Sequence, residues 1–214
     1  MTNKVFPLLF ISLSFLAVSC TKPPVKSLDS TTQTSNDIEK QTSTDSLVRD
    51  VGIPLDRALE RVTKKPFGLY IDPNNSPVSP EVFRGYHNAT DFEILEGEVD
   101  TDVAVKAVCD GKLLRKTTAT GYGGYALQSC TINDQAVTVI YGHLKLSSIV
   151  SEVGAEIKRG DTLGLLGNAY STETSGERKH LHLGIHKGIS IDIRGYVQKS
   201  SELSGWLNFE DLVK

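Results

Sequence analysis

The segment His180-Leu181-His182-Leu183-Gly184-Ile185-His186 constrains this chain more than any other. Leucine and isoleucine alternate with histidine and glycine at a strict period of two, and an extended strand sends successive side chains to opposite faces. A helix would scatter the two classes around its circumference. One face must therefore pack Leu181, Leu183 and Ile185 into a core, while the other presents His180 and His182 roughly 6–7 Å apart. Two imidazoles on one face can divide their work, one binding a metal and the other acting on what the metal binds. His186 lies about 13 Å beyond His182 along an extended strand, too far to reach the same metal, and reads as a solvated or groove-lining residue.

Most of the remaining sequence is also of strand type. Residues 101–109 place Val103, Val105 and Ala107 in alternation, and Asp110-Gly111 signals a tight hairpin into residues 112–116. Residues 128–132 and 136–141 flank Asn133-Asp134, a second hairpin signal. Gly154, Gly160, Gly164 and Gly167 punctuate further short strands. Helical spacing occurs at Leu55, Ala58, Leu59 and Val62, predicting a short helix over 56–62, and no long amphipathic helix precedes the C-terminal segment 206–213. The glycines of Gly121-Tyr122-Gly123-Gly124 read as a sharp turn and not as a phosphate loop, because Tyr125-Ala126-Leu127-Gln128 continues as a strand where a phosphate loop needs a helix start. The fold class expected is mainly β, with antiparallel sheets and short helices at the margins.

At 214 residues the chain has room for one domain with appended segments. Residues 1–19 read as an export signal: Lys4 gives a positive start, and the uncharged apolar run 5–16 is too short for a comfortable membrane span. The run closes on Leu16-Ala17-Val18-Ser19-Cys20, which resembles the lipobox of bacterial lipoproteins, with Ala17 where leucine is usual. That resemblance implies a lipidated Cys20 anchored in a membrane by several acyl chains. Residues 20–50 are dominated by Ser, Thr, Asp, Lys, Gln and Pro and cannot bury enough surface to offset their ordering entropy. They read as a tether with a root-mean-square reach of roughly 30 Å. The folded domain is expected over 51–214. A net charge of −3 supplies no basic surplus, so nucleic acid is not expected as a partner.

Four of the five histidines fall in short motifs: Gly85-Tyr86-His87-Asn88-Ala89-Thr90-Asp91, Tyr141-Gly142-His143-Leu144 and His180-Leu181-His182-Leu183. His87 and Asp91 offer an imidazole and a carboxylate. With one histidine of the strand they complete the three protein ligands of a catalytic zinc site, whose fourth position is left for water. Imidazole favours zinc over magnesium or calcium. No helical His-Glu-x-x-His pair is present. Glu173 and Glu177 precede the strand in a Ser/Thr-rich loop and read as solvated. With Cys20 lipidated, Cys109 and Cys130 remain as a pair on neighbouring strands. Either a disulfide or two thiols held apart by register fits the sequence.

Taken in order, these motifs resemble the lysostaphin-like, or LytM-type, zinc metallopeptidases over roughly residues 67–191. The resemblance includes Gly68-Leu69-Tyr70-Ile71-Asp72-Pro73, the Gly121 cluster and Ser175-Gly176. It implies that His87, Asp91 and His182 bind zinc, and that His143 and His180 are catalytic, one taking the proton of the attacking water and the pair stabilising the oxyanion. It also implies peptidoglycan peptides as substrate and the cell envelope as the place of work. Ala89 departs from the family's usual glycine and adds a methyl group near the metal. Loops 71–86 and 168–179 are the expected walls of an open groove. The competing expectations are a catalytically weak relative that regulates a cell-wall amidase, and a glycan-binding lipoprotein without chemistry of its own.

Overall fold

The computed structural model describes residues 51–214. The expected export signal, Cys20 and the expected tether lie outside the described residues.

The domain is mainly antiparallel β. Its principal sheet runs Trp206–Leu207, His180–Lys187, Gln135–Gly142, Gly123–Ile132, Gly111–Ala119, Glu156–Ile157 in spatial order. The strand Ala89–Glu93 pairs with residues 180–184 and Trp206–Leu207 with residues 185–186, so these two share one edge of His180–Lys187 end to end. Gln135–Gly142 takes the other edge. The alternation read from the sequence holds: Leu181, Leu183 and Ile185 are at most 1 % exposed and pack with Phe92, Tyr141 and Phe209. Each such side chain contributes about 1.5–3 kcal/mol on burial. Small sheets flank this one: Ala104–Lys106 with Thr162–Leu166 and Leu144–Lys145, and Tyr70–Ile71 with Gly85–His87 and Tyr196–Val197.

The Asn133-Asp134 hairpin forms as expected, joining Gly123–Ile132 to Gln135–Gly142 with both turn residues left-handed, at φ 48° and 59°. Asn and Asp tolerate that region better than most side chains. The Asp110-Gly111 hairpin does not form. Ala104–Lys106 pairs with Thr162–Leu166, whereas Gly111–Ala119 pairs with Gly123–Ile132 and Glu156–Ile157. Ala107, Val108 and Cys109 are fully buried in succession, and their backbone bonds go to Asp161, Gly52, Gly160 and the Tyr141 hydroxyl. A buried run bonded to three separate segments crosses between sheets instead of folding back on itself.

The first helix shrinks to Ala58–Arg61, and Leu59 is 47 % exposed. Arg57, left-handed at φ 57°, precludes an earlier start. The turn is held by Arg61, whose buried guanidinium bonds Glu98 at 2.6 and 2.8 Å. Cys109 and Cys130 form a disulfide, their Cα atoms 6.0 Å apart. At the C-terminus Trp206–Leu207 is a strand and Phe209–Val213 a helix, capped where the Asn208 side chain accepts the Glu210 N–H.

Candidate metal centre

Strand register assembles the centre. His182 stands opposite Asp91, and His180 opposite Glu93, across the pairing of His180–Lys187 with Ala89–Glu93. His87 arrives on the adjoining strand Gly85–His87. The three expected ligands converge: His182 Nδ1 is 3.0 Å from Asp91 Oδ1 and 3.2 Å from His87 Nε2, and His87 Nε2 is 3.3 Å from Asp91 Oδ1. All three residues are buried.

This donor set fits zinc. Tetrahedral coordination at about 2.05 Å puts neighbouring ligand atoms about 3.3 Å apart, close to the observed triangle. The second ring nitrogens are engaged so as to free the converging ones. His87 Nδ1 donates to the Pro66 carbonyl at 3.3 Å, and His182 Nε2 lies 3.3 Å from the Tyr122 hydroxyl. Such outer bonds fix the tautomer that leaves a lone pair for a cation. Burial lowers the His182 pKa to about 4, which keeps its imidazole neutral.

His143 and His180 stand beside this triangle, with ring centroids 4.2 Å apart. His143 adopts a left-handed backbone, φ 62°, directly after Gly142, the partner of His182 in the sheet. Burial, and then the neighbouring His180, pushes its pKa well below the ordinary histidine value. Its Nδ1 has no hydrogen-bond partner among the described residues. His180 Nδ1 donates to the Arg178 carbonyl at 2.9 Å, and its Nε2 faces Asp91 Oδ2 at 3.3 Å. The structure thus brings all five sequence-predicted site residues together.

Other expectations are corrected. His186 is partly exposed but does not line the groove; it packs edge-on against Trp206 with centroids 4.8 Å apart. The Ala89 methyl faces Gly184, lying 3.7 Å from where a Cβ on that glycine would stand, and so fills strand-to-strand space away from the pocket. Glu177 lines the pocket with its side chain only 14 % exposed, and burial raises its pKa. Glu173 lies in the short 3-10 turn Thr172–Thr174, partly exposed, and accepts the Asn168 N–H.

The pocket, about 370 Å³, is walled by Phe83, Arg84, Glu177 and Arg178 from the two expected loops. The stretches 120–122 and 193–198 also contribute and were not anticipated. Tyr122 was missed because only its flanking glycines were legible. A Cβ on Gly142 would lie 2.5 Å from the Tyr122 ring and one on Gly123 2.2 Å from the Glu173 carbonyl, so these glycines let the loop close over the site. Lys65 and Tyr196 also escaped notice. Lys65, buried, bonds the Tyr196 hydroxyl at 3.0 Å and pairs with Glu81 at 2.5 Å, a non-local cluster with no sequence signature.

The model of peptidase family M23 matches residues 85–193. Endolysin 2638A of Staphylococcus phage 2638A is 29 % identical over 145 residues, which span 59 % of this chain but only 27 % of that protein. Among solved structures, the catalytic domain of lysostaphin from Staphylococcus simulans is 20 % identical. The match covers 75 % of this chain and 99 % of that one, with a TM-score of 0.48 to 0.49 for it and for cbpa from L. salivarius REN. The latter is 22 % identical, with 77 % and 95 % of the two chains covered.

Proposed function

The chain belongs to peptidase family M23, and from that premise we propose that it is a zinc endopeptidase cutting the stem or cross-linking peptides of peptidoglycan. The observation that carries this reading is the convergence of His87 Nε2, Asp91 Oδ1 and His182 Nδ1 within 3.3 Å, beside the paired rings of His143 and His180. A zinc ion held by the three ligands would supply Lewis acidity toward a peptide carbonyl and lower the pKa of water.

The protein's own groups carry the protons. With Nδ1 donating to Arg178, His180 keeps Nε2 free to accept the proton of the attacking water. Asp91 Oδ2, 3.3 Å away, stabilises the imidazolium that results. His143, kept neutral by burial, offers an N–H to the carbonyl oxygen as negative charge develops there. The pocket opens between loops, as a groove for an extended peptide requires.

Cys20 and residues 20–50 extend the proposal to the cell envelope: a lipidated N-terminus and a polar tether would hold the domain near a membrane, within reach of the wall. Two measurements test the function. Purified chain should carry one zinc per molecule by elemental analysis. Digestion of purified sacculi should release peptide-linked fragments while leaving glycan strands intact. Cleavage confined to the sugar backbone, or to the amide joining sugar to peptide, would refute the endopeptidase assignment.

A further inference from the structure

Asp91 turns its two oxygens to different partners. Oδ1 faces His87 and His182, whereas Oδ2 faces His180 Nε2 at 3.3 Å and Arg178 Nη2 at 2.9 Å. The same guanidinium grips Glu93, with Nε 2.9 Å from each carboxylate oxygen and Nη2 2.5 Å from Oε1. Glu93 lies two residues beyond Asp91 on one strand, so their side chains share a face. Both carboxylates are buried, and Arg178 is itself only 11 % exposed. Two buried carboxylates on one face repel unless a cation lies between them. Arg178 is that cation, and its planar fork suits the task better than a lysine would.

From this geometry, and resting on the zinc reading above, we infer that Arg178 is a positioning residue of the metal centre. It ties down Asp91 Oδ2, so that Oδ1 alone is offered to the cation. Glu93 cancels the arginine's charge, so that Arg178 steers Asp91 without weakening its attraction for a metal. Arg178 acts on the centre a second time through its backbone, since its carbonyl fixes the tautomer of His180.

The test uses the full chain stripped of metal and titrated with Co²⁺ and Zn²⁺. Four-coordinate Co²⁺ absorbs visible light several-fold more strongly than Co²⁺ with more ligands, so its spectrum reports how many oxygens Asp91 contributes. Wild type should give the strong four-coordinate spectrum. Arg178→Gln frees Oδ2 to join the cation, and the visible absorption should fall by about threefold or more. Glu93→Gln leaves Arg178 holding Oδ2 but uncompensated; its Co²⁺ spectrum should match wild type while Zn²⁺ affinity falls roughly tenfold. A purely structural role would lower the melting temperature of both variants without changing the spectrum. Folded Arg178→Gln protein with a wild-type spectrum overturns the inference. If that variant does not fold, unchanged Zn²⁺ affinity in Glu93→Gln overturns it instead. A wild type that binds neither ion overturns the zinc reading and this inference together, which separates the two failures.

Discussion

His143 and His180 stack with ring centroids 4.2 Å apart and planes inclined by 36°, although 37 residues separate them in the chain. Neither ring nitrogen set belongs to the ligand triangle. His143→Ala and His180→Ala should therefore each keep stoichiometric zinc while kcat falls by about 10²- to 10⁴-fold. Because the two act on one transition state, the double variant should be little worse than the poorer single one. Loss of zinc in either single variant would count against the division of roles.

Asp91→Ala removes a proposed ligand and also leaves Arg178 and His180 without their shared partner. It should abolish zinc binding and activity together. Stoichiometric zinc with full turnover in this variant would show the ligand assignment to be wrong.

The pH dependence of the metal-free protein follows from its buried imidazoles. Folding lowers His182 to about 4 and His143 well below the ordinary value, in both cases chiefly through burial. Below an unfolded value of about 6.5, the unfolded chain takes up protons that the folded chain refuses. Stability should thus decline as pH falls from about 6.5 toward 4, by up to about 1.4 kcal/mol per pH unit for each imidazole. Urea unfolding of apoprotein at pH 7 and pH 5 measures this, and His143→Gln should flatten the slope. Equal stability at the two values would contradict neutral burial.

The Cys109–Cys130 bridge spans 21 residues of sequence. In the chain-entropy model a loop of that size stabilises the fold by roughly 3 kcal/mol. Cys109→Ser with Cys130→Ser should lower the urea midpoint accordingly yet preserve zinc binding, because neither cysteine lines the pocket. An unchanged midpoint in wild type and variant would show that the bridge adds nothing.

Gly142→Ala probes the loop closure. The new methyl would stand 2.5 Å from the Tyr122 ring and 3.2 Å from the His182 Cβ. Overpacking of this kind costs about 1–3 kcal/mol, and relief requires Tyr122 to leave His182. Zinc affinity should fall, whereas Gly154→Ala, with open space around its Cβ position, should leave it unchanged. Equal zinc affinity for the two variants would remove Tyr122 from the support of the centre.

The sequence by itself determined the strand His180–Lys187, the Asn133-Asp134 turn and the chemical identity of the candidate ligands. Each of these is local: side-chain alternation is a property of extended backbone, left-handed turns favour Asn and Asp, and imidazole with carboxylate suits zinc wherever they meet. Tertiary structure decided the rest. Only the register that sets His182 against Asp91, and His180 against Glu93, places one histidine in the candidate ligand triangle and leaves its neighbour beside it. The same pairing brings Arg178 onto Asp91 and Glu93, 87 and 85 residues away. Asp110-Gly111 carries a local hairpin signal as clear as Asn133-Asp134, yet the buried run 107–109 takes its backbone partners from distant segments and overrides it. His186 shares the histidine face of its strand, but Trp206 claims it because the C-terminal strand pairs at that end. Contacts across such separations depend on which strands pair and in what register, and no period of two or 3.6 residues records that choice.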